Sequence, residues 1–189
     1  MEDIILVGYG GHGKSVADCI ERKKEYRIIG YTEPDKVESK YPYLGTDDVL
    51  KEYFDRGIKN VAICQGYLGH GDLRQKLYKY VKNIGFSLPV ISDSSSVISE
   101  TAIIGEGTFI GKGAIVNADA QIGRMCILNT MSLIEHECII GEFTHIAVAT
   151  VLCGQVRVGK SAFIGANATV IQCKEIPEGK IIPAGMVVR

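Results

Sequence analysis

One pattern restricts the fold of this chain more than any other: from Ile98 to Ile182 an aliphatic residue returns every six positions. A period of six matches neither the 3.6-residue period of an α-helix nor the two-residue period of a long strand. It is typical of a solenoid whose coil has three short sides, so that eighteen residues complete one coil and stack on the next by parallel strand pairing. The aliphatic positions are Ile98, Ile104, Ile110, Val116, Ile122, Leu128, Ile134, Ile140, Ile146, Leu152, Val158, Ile164, Val170, Ile176 and Ile182.

Small residues follow the same period. Four positions after each aliphatic residue, as far as Ala168, stands a small or short side chain, and a glycine often follows the aliphatic residue directly, as in Ile104-Gly105. The large residue then fills the interior of each side and the small one fits a tight turn. A β-sandwich with coincidental spacing is the alternative, and the unbroken run of aliphatic positions disfavours it.

Composition excludes several classes of protein. The chain has 189 residues, enough for one or two domains, and its net charge of −1 suggests no nucleic-acid or anionic-membrane partner. No apolar run reaches the ~18 residues of a membrane span, and the N-terminal residues lack the pattern of a signal peptide, so we expect a cytoplasmic protein. The six cysteines form no C-x-x-C pair, and Cys126 and Cys138 occupy the small position, where a reduced cysteine acts as a compact apolar residue.

The first ninety residues follow a different pattern, in which short apolar runs alternate with segments of helical spacing. This order predicts a β-α-β-(α)-β-α-β arrangement, a Rossmann-like half domain. We expect strands at 4–7, 27–31, 61–64 and 86–91, a helix after residue 13, a short helix through Phe54 and a longer helix over 73–84.

The turn Gly8-x-Gly10-x-x-Gly13 lies between the first strand and the first helix. Glycines there let backbone N–H groups at a helix N-terminus approach a phosphate closely. Glu33 follows about twenty residues on, where a ribose partner is expected. Because a full dinucleotide fold needs two such halves, the turn predicts a nucleotide sugar or another anionic ligand, with an NAD site or a purely structural turn as alternatives.

His136 stands two positions after the inward Ile134 and should therefore face outward, flanked by Glu135 and Glu137. A carboxylate beside a histidine holds its tautomer and stabilises the imidazolium, which suits a general base. Gly154 lies eighteen residues later, one coil along at a stacking distance of ~4.8 Å, so its N–H can serve as an oxyanion donor. A solvated surface histidine is the alternative.

His145 lies nine residues after His136, half a coil away. Two side chains on opposite parts of a coil do not easily share a site within one chain. Across a packed face between two copies they can, which suggests a site shared by neighbouring subunits.

The string from Asn129-Thr130 through Glu135-His136-Glu137-Cys138 to His145, with the glycine-rich opening, closely resembles the nucleotide-sugar N-acetyltransferases of the bacillosamine type and the related sialic acid O-acetyltransferases. The resemblance implies a Rossmann-like half domain over residues 1–92 that holds the sugar nucleotide. It further implies a left-handed parallel β-helix of hexapeptide repeats over residues 93–189, a homotrimer, and acetyl-CoA bound along the β-helix between adjacent subunits.

The same resemblance implies a role for each site residue. His136 takes a proton from the acceptor amine or hydroxyl, and Glu137, rather than Glu135, orients it. The Gly154 N–H binds the thioester carbonyl, and His145 lies on the acetyl-CoA side. The acceptor-binding residues are Gly10, Gly11, His12, Gly13, Glu33 and Asn129.

One departure concerns the nucleotide. The family often carries two aspartates after the second strand, which contact the base or ribose. Here the string is Thr32-Glu33, so only one position carries a carboxylate, and the sequence leaves the nucleotide open.

Three other functions compete with transfer to an amine. Transfer to a sugar hydroxyl needs the same base. A zinc enzyme on this repeat would need three converging histidines, but only His136 and His145 lie in the repeat, so no metal is expected. A non-catalytic trimeric binding module would need only the repeat.

Overall fold

The computed structural model describes all 189 residues. The chain divides into two compact units: one contains residues 1–66 and 72–91, and the other contains residues 67–71 and 92–189. No helix combines the length and hydrophobicity that crossing a bilayer requires.

The first unit is built on a four-stranded parallel sheet. The strands are β1 (Glu2–Val7), β2 (Tyr26–Thr32), β3 (Tyr43–Gly45) and β4 (Asn60–Ile63), in the order β3-β2-β1-β4. The helices are α1 (Gly11–Lys23), α2 (Leu50–Asp55) and α3 (Leu73–Ile84), and a 3-10 helix, Asp47–Val49, precedes α2. The apolar run of β1 is fully buried at the centre of the sheet, as a continuous hydrophobic strand of a parallel sheet should be.

The expected strand over residues 86–91 does not form. Only an isolated bridge joins Ser87 to Asn60, and the ladder stops there. Pro89 explains the break, because a proline has no N–H to donate to a neighbouring strand. The sequence also did not predict β3, whose three residues are too few for a recognisable period.

The second unit consists of two-residue strands stacked in three parallel sheets of five, six and six strands. Residues eighteen apart pair directly, as when Ile122 pairs with Ile140 and Ile140 with Val158. The strands are β5 (Ile91–Ser92), β6 (Val97–Ile98), β7 (Ile103–Ile104), β8 (Phe109–Ile110), β9 (Ile115–Val116), β10 (Gln121–Ile122), β11 (Ile127–Leu128), β12 (Leu133–Ile134), β13 (Ile139–Ile140), β14 (His145–Ile146), β15 (Val151–Leu152), β16 (Arg157–Val158), β17 (Phe163–Ile164), β18 (Thr169–Val170), β19 (Glu175–Ile176), β20 (Ile181–Ile182) and β21 (Val187–Val188).

The interior of the coils has the expected composition. Aliphatic residues such as Ile134 and the small residues four positions later, such as Cys138, are fully buried. Glycines that follow an aliphatic residue let neighbouring coils approach: a Cβ on Gly141 would lie 2.4 Å from the backbone nitrogen of Lys160 in the next coil.

The turns between strands depend on one backbone conformation. Between residues 107 and 185, the residue three positions after each aliphatic position has a positive φ. Most of these residues are not glycine, as at Met131 (φ 58°) and Glu137 (φ 59°). The left-handed region costs an ordinary residue about 1–2 kcal/mol, so it persists because the stacked coils on either side fix the turn.

A short segment outside the repeat, residues 67–71, packs against the β-helix and is called the strap below. The Tyr67 hydroxyl donates to the Ser161 carbonyl at 2.7 Å. A Cβ on Gly69 would lie 2.7 Å from the Ile181 side chain, so glycine allows the close approach. The strap covers part of the sheet that contains β14.

Candidate active site

His136 lies in the turn after β12, two residues beyond the buried Ile134, and its side chain is exposed. Its Nδ1 lies 3.0 Å from Oε2 of Glu137. An ideal Cβ built on Gly154, one coil further on, would lie only 2.6 Å from Nε2 of His136. The imidazole therefore lies over the Gly154 backbone, in space that any other residue at position 154 would occupy.

Glu137 is held from two sides. Its Oε2 accepts a hydrogen bond from Nε2 of Gln155 at 3.0 Å in addition to the His136 contact. These bonds, Gln155 first and His136 second, hold the pKa of the Glu137 carboxyl below its usual value. An ionised carboxylate only accepts, so the His136 Nδ1 carries a proton, and in the neutral ring Nε2 is left basic beside Gly154.

The Gly154 N–H donates to no group in this chain, although the N–H groups of both neighbours do. Cys153 donates to Val170, and Gln155 donates to the His136 carbonyl. A free donor and a basic imidazole nitrogen thus lie side by side on the surface, which is the pair of groups that an acyl transfer needs.

Gln155 was not predicted from the sequence. It lies eighteen residues after Glu137, so the coil period that related His136 to Gly154 would also have related these two. The Cys173 thiol, another eighteen residues on, donates to the Gln155 amide oxygen at 3.3 Å, which extends the column of contacts across three coils.

The other two predicted residues of the repeat lie on a different sheet. Asn129 follows β11 and His145 lies in β14, whereas His136 and Gly154 follow β12 and β15. The Asn129 Nδ2 lies 3.3 Å from His145 Nε2, and His145 is only 6% exposed beneath the strap. No group of three His, Cys, Asp or Glu side chains is placed to hold a metal ion.

The glycine-rich turn of the first unit contains glycines of two kinds. Gly8 has a φ of +95°, and a Cβ on Gly13 would lie 3.0 Å from the Gly8 carbonyl oxygen, so the fold itself requires both. Gly10 and Gly11 are exposed, and a Cβ on either would meet nothing within 4 Å. No side chain caps the N-terminus of α1 at Gly10, and the partly buried His12 lies in its first turn.

Glu33 serves the turn itself, because its Oε1 accepts the backbone N–H of Tyr9. It also lines a cavity of about 160 Å³, together with Gly8, Thr32, Asp47 and Gln65. The Asp47 carboxylate accepts a hydrogen bond from the Thr32 hydroxyl at 2.6 Å. A second carboxylate therefore lies beside Thr32, which occupies the position of one of the two aspartates expected after the second strand. Sequence reasoning missed it because Asp47 is fifteen residues away along the chain.

Comparison with known proteins finds similar sequences and structures. Residues 3–81 match the family described as the PglD N-terminal domain. The structure resembles a histidine-to-alanine variant of GDP-perosamine N-acetyltransferase from Caulobacter crescentus, solved with CoA and GDP-perosamine, at 31% identity and a TM-score of 0.93 over all of this chain and 89% of that chain. It also resembles the acetyltransferase domain of PglB from Neisseria gonorrhoeae, at 26% identity and a TM-score of 0.91 over all of this chain and 92% of that domain.

These matches confirm the predicted fold class, an α/β region followed by a left-handed parallel β-helix. The left hand is an exception to the right-handed crossover that parallel strands usually follow. The protein is an enzyme of the acyltransferase class. It belongs to the hexapeptide-repeat sugar N-acetyltransferase family.

Proposed function

We propose that this enzyme transfers the acetyl group of acetyl-CoA to the amine of a nucleotide-linked amino sugar, with His136 as the general base. The observation that carries the proposal is the placement of the His136 Nε2 over Gly154, with Nδ1 on an ionised Glu137. The Caulobacter relative supports it, since that enzyme is a GDP-perosamine N-acetyltransferase solved with CoA.

In the proposed mechanism the acceptor nitrogen attacks the thioester carbonyl while His136 Nε2 takes its proton. Glu137 stabilises the imidazolium that forms. The oxygen of the tetrahedral intermediate accepts a hydrogen bond from the Gly154 N–H. Collapse of the intermediate breaks the C–S bond, and the coenzyme A sulfur takes the proton from His136 and leaves as the thiol. Transfer is direct, so Cys153 is not needed as a nucleophile.

The acceptor is proposed to be held mainly by residues 1–92, and acyl transfer to take place on residues 93–189. Gly10, Gly11, His12 and Gly13 are proposed to face the phosphates at the start of α1, where Gly10 provides no side-chain cap and a helix N-terminus favours negative charge. The cavity lined by Glu33 and Asp47 is proposed for the nucleoside, and Asn129 for the sugar.

The active unit is proposed to be a homotrimer. Asn129 and His136 lie on different sheets of one β-helix, and a neighbouring copy is needed to bring one beside the other. The contact of His145 with acetyl-CoA and the cytoplasmic location remain predictions, and the first of these is tested below.

The test is a screen of acetyl-CoA consumption against amino sugars linked to UDP, GDP, dTDP and CMP, with free sialic acid included. Turnover of a nucleotide amino sugar is the expected result. Turnover of sialic acid alone would assign the enzyme to O-acetylation instead, and no turnover of any acceptor would overturn the proposal.

The assignment of the base is tested on the best acceptor of that screen. His136→Ala is expected to lower kcat by about 10²–10⁴-fold, the usual contribution of a general base. Glu137→Ala should lower kcat as well. Glu135→Ala is the matched control, because the Glu135 carboxylate accepts the backbone N–H of His136, at 3.2 Å, and not a hydrogen bond from the imidazole. Undiminished turnover by the His136 variant would exclude it as the base.

A further inference from the structure

The Nδ1 of His145 is fixed as a hydrogen-bond donor by a group that can only accept. Its Nδ1 lies 2.5 Å from the Tyr67 backbone carbonyl of the strap. A carbonyl has no hydrogen to donate, so Nδ1 carries the proton, and in the neutral ring Nε2 is left as an acceptor. The Phe163 ring meets the imidazole edge-on at a centroid distance of 5.1 Å and limits its rotation.

Asn129 is fixed from the opposite end. The backbone N–H of Thr130 donates to its side-chain oxygen at 2.8 Å. Because a backbone N–H can only donate, that atom must be the oxygen, and the amide nitrogen then faces His145 Nε2 at 3.3 Å. The Tyr67 carbonyl and the Thr130 N–H together allow one arrangement of hydrogen bonds, in which the Asn129 amide donates to a neutral His145.

We propose that His145 is a positioning residue that fixes the direction in which the Asn129 amide points toward the acceptor sugar. The inference rests on the proposed function, in which Asn129 contacts that sugar. The amide nitrogen has two hydrogens; His145 uses one and leaves the second for the acceptor. The strap holds the imidazole from behind and so takes part in acceptor binding without touching the sugar.

This role differs from the acetyl-CoA contact that the sequence predicts for His145. Both ring nitrogens are already engaged, one by Tyr67 and one by Asn129, and the side chain is 6% exposed. A hydrogen bond from the imidazole to acetyl-CoA would require one of these contacts to break. The two roles predict losses in different Michaelis constants.

Two substitutions test the contacts of the two imidazole nitrogens one at a time. In His145→Gln the amide oxygen reaches approximately the place of Nε2 and can still accept from Asn129. In His145→Asn the amide nitrogen takes approximately the place of Nδ1, keeps the Tyr67 contact and loses the acceptor for Asn129. A positioning role predicts a KM for the acceptor about 3- to 10-fold higher in His145→Asn and in Asn129→Ala, the effect of one lost hydrogen bond.

The acceptor used is the nucleotide amino sugar that the screen above turns over best. His145→Gln should restore its KM most of the way, the double variant Asn129→Ala/His145→Asn should be no worse than Asn129→Ala alone, and KM for acetyl-CoA should stay unchanged in all of them. A raised KM for acetyl-CoA with an unchanged KM for the acceptor would overturn the inference in favour of direct acetyl-CoA binding.

A second readout does not depend on turnover. Nitrogen-15 NMR of the wild-type imidazole distinguishes the two neutral tautomers, and we expect the Nδ1–H form for His145. An Nε2–H form would overturn the inference even in a fully active enzyme. If the wild type turned over no acceptor while showing the Nδ1–H form, the proposed function would fail and the contacts between Tyr67, His145 and Asn129 would stand.

Discussion

Gly154 matters at the residue scale because it has no Cβ. Position 154 lies in a column of turn residues eighteen apart that includes Ala118, His136 and Gln172, so the same turn elsewhere accepts alanine. Gly154→Ala is therefore expected to fold normally and to displace the imidazole, whose Nε2 lies 2.6 Å from the site of the new Cβ. We predict a fall in kcat of about 10- to 100-fold, the size of effect that a displacement near 1 Å produces.

Steady-state kinetics and thermal unfolding measured together check this prediction. Ala118→Gly, in the same column on the other side of His136, is the matched control and should leave kcat unchanged. A Gly154→Ala enzyme that kept its full turnover would show that the imidazole does not need its place over the Gly154 backbone.

Gln155 gives a second prediction at this scale, since its amide is the first cause of the lowered Glu137 pKa. Gln155→Ala removes a hydrogen bond to the charged form, so the pKa of Glu137 should rise toward its ordinary value. The Glu137 carboxyl is then protonated at a higher pH than in the wild type. A carbon-13 titration of the Glu137 carboxyl checks the pKa directly, with Cys173→Ser, which keeps a donor to Gln155, as the control.

The magnitude of this effect should be modest. Solvent weakens a single hydrogen bond in an exposed position, so kcat at neutral pH should fall by about fivefold or less. A Glu137 pKa that stayed where it was in Gln155→Ala would show that His136 alone holds the carboxylate.

Single residues also show how far the sequence could lead. His136, Glu137 and Gly154 could be placed together because the coil period turns a separation of eighteen into contact. The same rule would have found Gln155. It could not have found Tyr67 beside His145, because the two are 78 residues apart and no period relates the strap to the repeat.

At the scale of the strand, β13 offers a direct comparison of two identical side chains. Ile140 is 1% exposed in the interior of the coil, whereas its neighbour Ile139 points outward and is partly exposed. Ile140→Ala should lower the free energy of unfolding by about 2–5 kcal/mol, the cost of a cavity in a close-packed core. Ile139→Ala should cost less than about 1 kcal/mol.

Denaturant unfolding of the two variants measures the difference. Equal losses in the free energy of unfolding would show that Ile140 does not point inward while Ile139 points outward. The hexapeptide register would then be wrong as well. The comparison isolates position, because residue type, strand and neighbouring turns are shared.

Elements built on a repeat could be predicted, and isolated elements could not. The strands of the β-helix follow from the hexapeptide period because each coil repeats the same contacts at a separation of eighteen. The strand expected over 86–91 has no such support, and Pro89 is enough to reduce it to one bridge. Asp47 reached the cavity beside Glu33 through β3, an element that no sequence pattern signalled.

At the scale of the whole molecule, a shared site predicts that two variants, each lacking a different residue of the site, can form complete sites together. His136→Ala removes the base and Asn129→Ala removes the proposed acceptor contact. If each site takes His136 from one subunit and Asn129 from its neighbour, mixed trimers contain some sites with both wild-type residues. A trimer with two subunits of one variant and one of the other has about one complete site in three, because only one of its three neighbouring pairs is in the required order.

Co-expression of the two variants under different affinity tags, followed by purification on both tags, gives the mixed trimers. We expect about a third of the sites in them to turn over with the wild-type acceptor KM, whereas His136→Ala alone is almost inactive and Asn129→Ala alone keeps its raised KM. If one chain supplied both residues of its own site, no mixed trimer would contain a complete site and all turnover would show the raised acceptor KM of Asn129→Ala. Sedimentation of the wild type as a monomer would contradict the trimer directly, so the two measurements together decide whether the active site belongs to one chain or to two.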